Sequence, residues 1–486
     1  MPRITPSRSN TDVETEAPAP PFVPEPIDLF TPSLLQQGAR VRRTLRTFRR
    51  HLGPHVARRA TGRGVDELEL ATSLCRVFER LGTTYVKFGQ VVAQAPGFFG
   101  REVSGRFRPC LDTGPPVRFD RIQRLVEKEL GAPIEATFAE FDPEPIGRAS
   151  IAVVHRAVTL GGEEVAVKLL RPGIERRVAT DLAIMKVILP EVSRLGSGEL
   201  ADMQRQMLDG FSLQLREELN LLNEVRALQL YEDLLGDLGV TSVTVPRPHP
   251  ELSSRRILTM EFLDGVAVDD VSAIDDLGLD AAPLVVDAMK AWFITAIRYG
   301  IFHGDVHAGN LMILRDGRIA MIDWGIVGRL EPRSHWLLRR VIEAALGDEQ
   351  ALEEVTDYFL DQTRDFLSQG LGLPEEQARR FFQQQLTDAL TRPFAQINIG
   401  EFLTQRQKEM SLRRIPLPGL GTITSRFRRR EAPDLDRGMF LMGKQLMFFE
   451  SHGRLHLPER ALLQDRAFFE RVLHGQGDGE VPPAAG

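Results

Sequence analysis

The chain contains the stretch Phe302-His303-Gly304-Asp305-Val306-His307-Ala308-Gly309-Asn310, followed by Met321-Ile322-Asp323-Trp324-Gly325. Apolar residues between the two motifs predict a short hairpin. Phosphoryl transfer from ATP needs one carboxylate near the acceptor oxygen, and a second carboxylate with an amide to hold magnesium against the phosphates. The spacing therefore indicates Asp305 as the base or acceptor-orienting residue. It indicates Asn310 and Asp323 as metal ligands, because Mg²⁺ prefers oxygen donors.

A candidate phosphate-binding lysine lies upstream, at the end of Val165-Ala166-Val167-Lys168. This alternating pattern predicts a strand, and Gly161-Gly162 predicts the turn of the hairpin before it. On the other side of that hairpin, residues 145–151 predict a small-residue turn, and glycine and small side chains let backbone N–H groups approach phosphates. The residues expected to contact nucleotide in this turn are Gly147, Ala149 and Ser150.

Two further positions complete the predicted nucleotide site. A buried lysine needs an anionic partner, and Glu224, on a helix that follows Lys168, is expected to supply it. Residues 258–265 then predict a strand whose exposed peptide edge, at Glu261 and Phe262, hydrogen-bonds adenine.

The order of predicted elements is typical of an α+β fold. Residues 66–95 predict one or two helices with a break at Gly82, and short strands follow from residue 136. Helical patterns at 175–236, a strand at 256–262 and a helix-rich remainder from 281 complete the chain.

The composition excludes several classes of protein. The chain has 486 residues, 42% apolar and 26% charged, with a formal charge of −6, which gives no overall argument for nucleic-acid binding. The two cysteines, Cys75 and Cys110, have no metal-ligand spacing and predict isolated reduced thiols in a cytoplasmic protein. No apolar run is long enough to cross a bilayer, and the Pro-rich start lacks the apolar region of a signal peptide.

A basic segment from Thr31 to about Arg63 predicts an amphipathic helix. An apolar stripe lies beside an arginine face, and such a helix suits anionic lipid headgroups at the inner face of a membrane. The alternative is a solvated helix whose stripe packs on the body of the protein. The sequence leaves both interpretations open.

Lys87-Phe88-Gly89-Gln90 and the segment from Pro145 to His155 add motifs that ordinary protein kinases lack. With the acidic motifs above, the chain resembles the UbiB/ADCK (AarF-domain) atypical kinases from about residue 66 to 345, and more loosely to 460. The resemblance implies a two-lobed protein-kinase-like fold with an N-terminal helical extension and a helix-rich C-lobe. The corresponding regions are a disordered lead (1–27), the extension (28–130), the N-lobe (131–265), the C-lobe (266–470) and a flexible tail (471–486).

The resemblance also implies a function. It implies an atypical kinase or ATPase that uses ATP and Mg²⁺ and supports isoprenoid-quinone biosynthesis or lipid homeostasis, with quinone-biosynthesis proteins or lipid precursors as partners. Lys168 would pair with Glu224, and Asp305 would be the catalytic aspartate. Lys87 and Gln90 would line a pocket that the extension closes against a protein substrate.

The chain departs from the family pattern at several positions. The family's ExD motif reads Glu218-Leu219-Asn220, which loses one carboxylate, and the alanine-rich loop reads Gly147-Arg148-Ala149-Ser150. These departures leave a non-catalytic, nucleotide-gated scaffold as one alternative. A small-molecule phosphotransferase of the aminoglycoside or choline kinase type is another, because its motifs resemble those around Asp305 and Asp323.

Overall fold

The computed structural model describes residues 22–62, 64–93, 101–107, 110, 116–193, 200–366, 437–460 and 465–474, together with 376–377, 379–380 and 383–384. A helical extension comes first, then a sheet, then a helix-rich part, so the predicted α+β class is confirmed.

The described part of the extension contains the helices α1 (Leu34–Ala60), α2 (Glu67–Leu81), α3 (Thr83–Ala93) and α4 (Arg101–Gly105). Asp66 caps α2, because its carboxylate accepts the N–H groups of the first turn. Gly82, at φ 83°, separates α2 from α3, so the predicted break at this glycine is confirmed. Aromatic rings pack between the extension and the rest of the molecule. The ring centroids of Phe88 on α3 and Phe211 are 5.1 Å apart.

The N-lobe contains a four-stranded antiparallel sheet of order β1-β2-β3-β5. Two helices precede it, α5 (Phe119–Leu130) and α6 (Ile134–Thr137). The strands are β1 (Phe138–Arg148), β2 (Ala152–Thr159), β3 (Glu164–Leu170) and β5 (Ile257–Glu261). The predicted turn between β2 and β3 is confirmed, since Gly162 takes the left-handed conformation at φ 81°.

Between β3 and β5 the described residues include the α-helices α7 (Ile174–Ser193), α8 (Leu200–Glu218) and α9 (Leu221–Asp237). Helix α9 packs against β5, so a residue in its first turns lies close to β3. Its buried residues include Glu224 and Tyr231, seven positions apart on one helix face.

The C-lobe packs around the buried helix α11 (Ala281–Tyr299). Among the described residues, the C-lobe also contains the helices α10 (Val271–Leu277), α12 (Pro332–Ala345), α13 (Glu349–Phe366), α14 (Arg437–His456) and α15 (Arg466–His474). One sheet has the order β4-β9-β8-β6, from β4 (Val243–Thr244), β6 (Gly265–Ala267), β8 (Leu311–Leu314) and β9 (Ile319–Met321). A second pairs β7 (Ile301–His303) with β10 (Val327–Arg329).

The domain prediction included residues 22–27 in a disordered lead, but these residues pack on α8 and α9. The side chains of Phe22 and Ile27 are buried, at 8% and 7% exposed. The N–H of Glu25 donates to Oδ1 of Asn223 at 2.9 Å, and the N–H of Ile27 donates to the carbonyl of Arg216 at 3.0 Å. Burial and backbone pairing outweigh the disorder that a Pro-rich composition favours. Residues 1–21 lie outside the described residues.

Two other predictions need correction. The predicted tail began at residue 471, whereas α15 continues to His474, and 475–486 lie outside the described residues. Cys75 and Cys110 were expected to be isolated from each other, but folding brings their sulfur atoms to 3.7 Å, and both side chains are buried. Within the described part of the chain, no helix has both the length and the apolarity needed to span a membrane.

Candidate functional site

Lys168, Glu224 and Asp323 meet at the junction of β3, α9 and the end of β9. The ammonium of Lys168 donates to both carboxylate oxygens of Glu224 at 2.9 Å and to Oδ1 of Asp323 at 2.8 Å. Lys168 and Glu224 are buried, whereas the Asp323 side chain is 42% exposed. The structure thus brings together three predicted site residues that are far apart in sequence, and one of them faces solvent.

Burial and the neighbouring charges set the ionisation of these groups. Burial raises the pKa of Glu224 to about 7, although Lys168 opposes this shift. Burial alone would lower the pKa of Lys168, but Asp323 and Glu224 together outweigh it and raise that pKa. Partial removal from water would likewise raise the pKa of Asp323, but the charges of Lys168 and Lys87 outweigh it and lower that pKa. Asp323 therefore stays ionised and able to bind a cation.

The backbone at Asp323 is unusual, because its φ of 58° lies in the left-handed region, which aspartate tolerates better than most residues. Trp324, at the position of the kinase phenylalanine, is 1% exposed and donates its indole N–H to the carbonyl of Met321 at 2.9 Å. The centroid of its ring lies 3.7 Å from the ring centroid of Tyr231 on α9 and 4.3 Å from that of His303. Trp324 therefore packs the Asp323 turn against the helix that carries Glu224.

His303 links the two acidic motifs. Its Nδ1 accepts the N–H of Asp305 at 3.0 Å, and its Nε2 lies 3.0 Å from the carbonyl of Ile322, to which it donates. Burial lowers the pKa of His303 to about 4, so the ring is neutral and holds these two bonds. Asn310 extends the network, since its amide N–H donates to the carbonyl of Asp305 at 2.9 Å.

The predicted metal ligands offer oxygen atoms that suit Mg²⁺. Oδ1 of Asn310 and Oδ2 of Asp323 bond no other residue in the part of the chain that the structure describes. Within the same residues, no three His, Cys, Asp or Glu side chains form a metal-binding group. The pair formed by Asn310 and Asp323 fits magnesium, because this ion commonly takes one or two carboxylates and completes its shell with substrate phosphates and water.

The two polar side chains of the Lys87-Phe88-Gly89-Gln90 motif contact different parts of the molecule. Nζ of Lys87 lies 2.6 Å from Oε2 of Glu218. Burial alone would lower the pKa of Lys87, but Glu218, Asp305 and Asp323 raise it, which places this ammonium beside the acidic site. Gln90 does not join it, because its amide donates to the carbonyl of Cys110 at 3.0 Å.

The same cysteine explains the glycine of this motif. A Cβ on Gly89 would lie 2.5 Å from the sulfur of Cys110, closer than van der Waals contact allows. Gly89 and Gln90 therefore allow Cys110 to pack against α3, while Lys87 reaches the site.

Asn220, where the family pattern has a second acid, has a clear packing role. Its amide donates to the carbonyl of Glu25 at 3.2 Å, beside the bond from Asn223 to the same carbonyl at 3.0 Å. An aspartate would present a carboxylate to that carbonyl, so the asparagine suits the docked segment 22–30. The ion pair with Lys87 is formed by Glu218.

The predicted phosphate turn is shorter than expected. Gly147 lies within β1, paired with Val154, and an added Cβ there would make only ordinary contact at 3.5 Å. The strand ladder continues through this residue, so the turn itself holds Ala149 and Ser150. The guanidinium of Arg171 donates to the carbonyl of Ala149 at 3.1 and 2.9 Å and fixes the turn. The guanidinium of Arg148 lies 3.8 Å from the carboxylate of Glu144, and the Arg148 side chain is 39% exposed.

The predicted adenine edge has both of its N–H groups engaged. The N–H of Glu261 donates to the carbonyl of Arg247 at 2.8 Å, and the N–H of Phe262 donates to that of Glu164 at 3.2 Å. The Phe262 ring lies under the guanidinium of Arg156 at 4.5 Å. These two residues therefore offer adenine an acceptor such as the Glu261 carbonyl and no backbone donor.

Comparison with known proteins identifies the family. Residues 110–356 match the ABC1 atypical kinase-like domain. The chain belongs to the ABC1 atypical kinase-like family. The predicted resemblance to UbiB/ADCK (AarF-domain) kinases is thus confirmed, and with it the kinase-like fold.

Relatives in this family come from bacteria and plants. An uncharacterised protein of Mycobacterium tuberculosis is 34% identical over 409 residues, which cover 83% of this chain and 78% of that protein. An uncharacterised chloroplastic aarF domain-containing protein kinase of Arabidopsis thaliana is 33% identical over 406 residues, 81% of this chain and 73% of the relative. The chloroplastic protein named activity of bc1 complex kinase 1, also from Arabidopsis thaliana, is 29% identical over 282 residues, 58% and 40% of the two chains.

A solved structure of a Mycobacterium tuberculosis protein in complex with erythromycin aligns with a TM-score of 0.41 and 20% identity. The alignment covers 71% of this chain and 84% of that one.

Helix α14, which lies outside the ABC1 match, places Lys444 in the site, although the sequence motifs did not indicate this residue. Nζ of Lys444 lies 2.7 Å from Oδ1 of Asp305. Lys444 is 139 residues from Asp305 and stands in no recognisable motif. A lone lysine in a helix with apolar neighbours gives no signal for a site, so only the fold places it there.

Proposed function

We propose that this protein binds Mg-ATP and acts as an ATP-dependent atypical kinase or ATPase. The observation that carries the proposal is the bonding of Lys168 to both Glu224 and Asp323. A buried lysine held by a glutamate and an aspartate is the arrangement that kinases use to bind nucleotide phosphates. Membership of the ABC1 atypical kinase-like family supports the same activity.

Each residue has a role in this proposal. Lys168 binds phosphate oxygens, and Glu224 holds it in position. Asp323 and Asn310 hold Mg²⁺, which, when bound, neutralises the charge of the phosphates. Asp305 orients the attacking hydroxyl or water, and its N–H bond to His303 fixes its loop relative to Asp323.

The acceptor is proposed to be water or a small lipid-like molecule, with turnover supporting isoprenoid-quinone biosynthesis or lipid homeostasis. The family resemblance supports this assignment. The position of Lys87 supports it too, because α3 and Glu218 bring this side chain beside the acidic residues, where a protein substrate would otherwise lie.

A peripheral membrane contact is part of the proposal. Part of the apolar stripe of α1 packs inward, with Phe48 and Leu52 buried, while Leu45 is 52% exposed. Arg42, Arg46 and Arg49 are exposed on the same helix. An exposed leucine among arginines suits anionic headgroups at a membrane surface.

Phosphate release from Mg-ATP tests the activity. The purified protein is assayed with and without anionic liposomes and a phenolic analogue of a quinone precursor, and Asp323→Asn serves as the blank. Release above the blank that rises with lipid or phenol is expected. Asp305→Asn should bind nucleotide normally and lose about 10²-fold in turnover, since it removes the group that positions the acceptor.

One outcome would contradict the proposed acceptor, and another would contradict the activity. Phosphate transfer to a hydroxylated small metabolite without any lipid effect would indicate a small-molecule phosphotransferase. Tight nucleotide binding with no turnover under any condition would indicate a scaffold.

A further inference from the structure

Lys444 is held beside Asp305 by helix α14, which forms several hydrogen bonds with the loop from His303 to Asn310. Gln445 accepts the N–H of Val306 at 2.8 Å and donates to the carbonyl of Gly304 at 2.6 Å. Nε2 of His452 lies 3.0 Å from the carbonyl of Val306. Gln445 and His452 are 0% and 4% exposed. The position of Lys444 is therefore fixed by buried bonds on both sides of Asp305 and differs from a chance surface ion pair.

Tuning Asp305 as a base does not account for this lysine. Burial alone would raise the pKa of Asp305, but Lys444, His307 and Lys87 together lower it. A carboxylate with a lowered pKa is a weaker proton acceptor, so the pair works against general-base catalysis. The ammonium must serve another purpose if it contributes to the reaction.

The distribution of positive charge in the site suggests that purpose. Lys168 is shared by Glu224 and Asp323, and Lys87 is paired with Glu218. The loop from His303 to Asn310 contains no lysine or arginine. Phosphoryl transfer concentrates negative charge on the terminal phosphate, next to the residue that orients the acceptor. An ammonium 2.7 Å from Asp305 lies at that junction.

We propose that Lys444 binds the terminal phosphate of the nucleotide, so that α14 supplies the cation that the catalytic loop lacks. An ammonium has three N–H donors, so it can bond a phosphate oxygen while it still bonds Asp305. It keeps its proton throughout. The inference rests on the proposed function and assigns to the same site a residue outside the 110–356 family match.

Nucleotide affinity tests the inference without depending on turnover. The dissociation constants of Mg-ATP and Mg-ADP are measured by calorimetry for the wild type and Lys444→Met. ATP affinity should fall about 10-fold or more, the usual effect of a lost charged hydrogen bond, and ADP affinity should stay within about 2-fold. Lys444→Arg should recover part of the loss. If Lys444→Met does not fold, Lys444→Gln replaces it.

Two further variants separate direct binding from charge neutralisation. If Lys444 only shields the phosphate from Asp305, the Asp305→Asn/Lys444→Met double variant should regain the preference for ATP over ADP. If Lys444 binds the phosphate, the double variant should still lack that preference relative to Asp305→Asn. Lys290→Met is the matched control, because Lys290 forms a 2.7 Å pair with Asp465 elsewhere in the C-lobe. It should leave both affinities unchanged.

The outcomes distinguish the inference from the proposed function. A wild-type protein that binds neither nucleotide would overturn the proposed function and this inference with it. A wild type that binds ATP, with Lys444→Met weakening both nucleotides equally or neither, would overturn the inference alone. An increase in ATP affinity in Lys444→Met would do the same.

Discussion

At the scale of single residues, His303 and Lys168 hold the acidic groups of the site in place. Lys168 does so through charge, and His303 does so as a neutral ring between the N–H of Asp305 and the carbonyl of Ile322. Protonation of His303 would remove the acceptor at Nδ1 and place a positive charge in the core. The integrity of the site therefore depends on pH through this histidine.

The contribution of His303 to stability should be lost in acid. Its pKa is about 4 in the folded protein and about 6.5 when unfolded, so the folded state binds fewer protons between these values. The contribution is complete above pH 6.5 and disappears as pH falls towards 4. Between pH 8 and pH 5 the resulting loss of unfolding free energy is about 2 kcal/mol. Urea unfolding of the wild type and His303→Asn at both pH values measures it.

The wild type should lose more unfolding free energy than His303→Asn over this range, because the variant lacks the titrating ring. Equal losses in the two proteins would show that His303 does not titrate as its burial implies.

The residues that were correctly predicted to be neighbours share one property. Each lies at the end of a short strand or hairpin, in a motif whose spacing the reaction requires. Asp305, Asn310 and Asp323 flank a hairpin, and Lys168 ends a strand, so sequence alone indicates a common site. Lys444 has no such constraint, since it meets Asp305 only through the packing of a distant helix. Gln90 was misplaced because helical periodicity gives the face of a residue and not its partner, which is the Cys110 carbonyl.

At the scale of elements, the segment 22–30 and helices α8 and α9 form one unit. Asn220, Asn223 and Arg216 bond the backbone of this segment, and Phe22 and Ile27 fill apolar sites. The Pro-rich composition predicts disorder only as far as residue 27, and this part of the prediction fails because the side chains that bind the segment lie far along the chain, on α8 and α9. Strands β3 and β5 and the Gly82 break are predicted well, since local alternation and glycine conformation determine them.

Asn220→Asp should weaken the docking of this segment. The variant loses the donor to the Glu25 carbonyl and places a carboxylate against it in a buried position. We expect a loss of about 1 to 3 kcal/mol in unfolding free energy, the usual cost of an unsatisfied buried group. Limited proteolysis should also remove the N-terminal residues faster than in the wild type.

Arg226→Gln provides the control, since Arg226 meets Glu25 through a solvent-exposed pair that contributes little. If Asn220→Asp were no more sensitive to protease than Arg226→Gln, the asparagine would have no role in docking the segment.

At the scale of the whole molecule, the extension connects the acidic site to a basic outer surface. Arg40 of α1 bonds Asp181 of α7 at 2.6 and 2.8 Å, which fixes α1 to the body, and α3 carries Lys87 to Glu218. The outer face of α1 retains its arginines. The two interpretations of this helix are therefore compatible, because its stripe packs partly inward while its basic face stays available.

Charge reversal on α1 should reduce membrane binding. Arg42, Arg46 and Arg49 are changed together to glutamate, and sedimentation with anionic liposomes is expected to fall by about 10-fold or more, since each basic residue near such a surface contributes about 1 kcal/mol. Arg43 is left intact because it bonds the carbonyl of Arg80.

The matched control reverses Arg118, Arg121 and Arg124 on and beside α5, which changes the net charge equally at another surface. Equal losses of binding in the two triple variants would indicate a general charge effect and no specific role for α1.

The most direct test of the central claim is the effect of Mg²⁺ on ATP affinity, measured by calorimetry for the wild type and Asp323→Asn. The account predicts that Mg²⁺ tightens ATP binding by the wild type by about 10-fold or more, and that Asp323→Asn loses this effect while remaining folded. Wild-type affinity that is the same with and without Mg²⁺, or an undiminished Mg²⁺ effect in Asp323→Asn, would contradict the assignment of this cluster as a magnesium-nucleotide site.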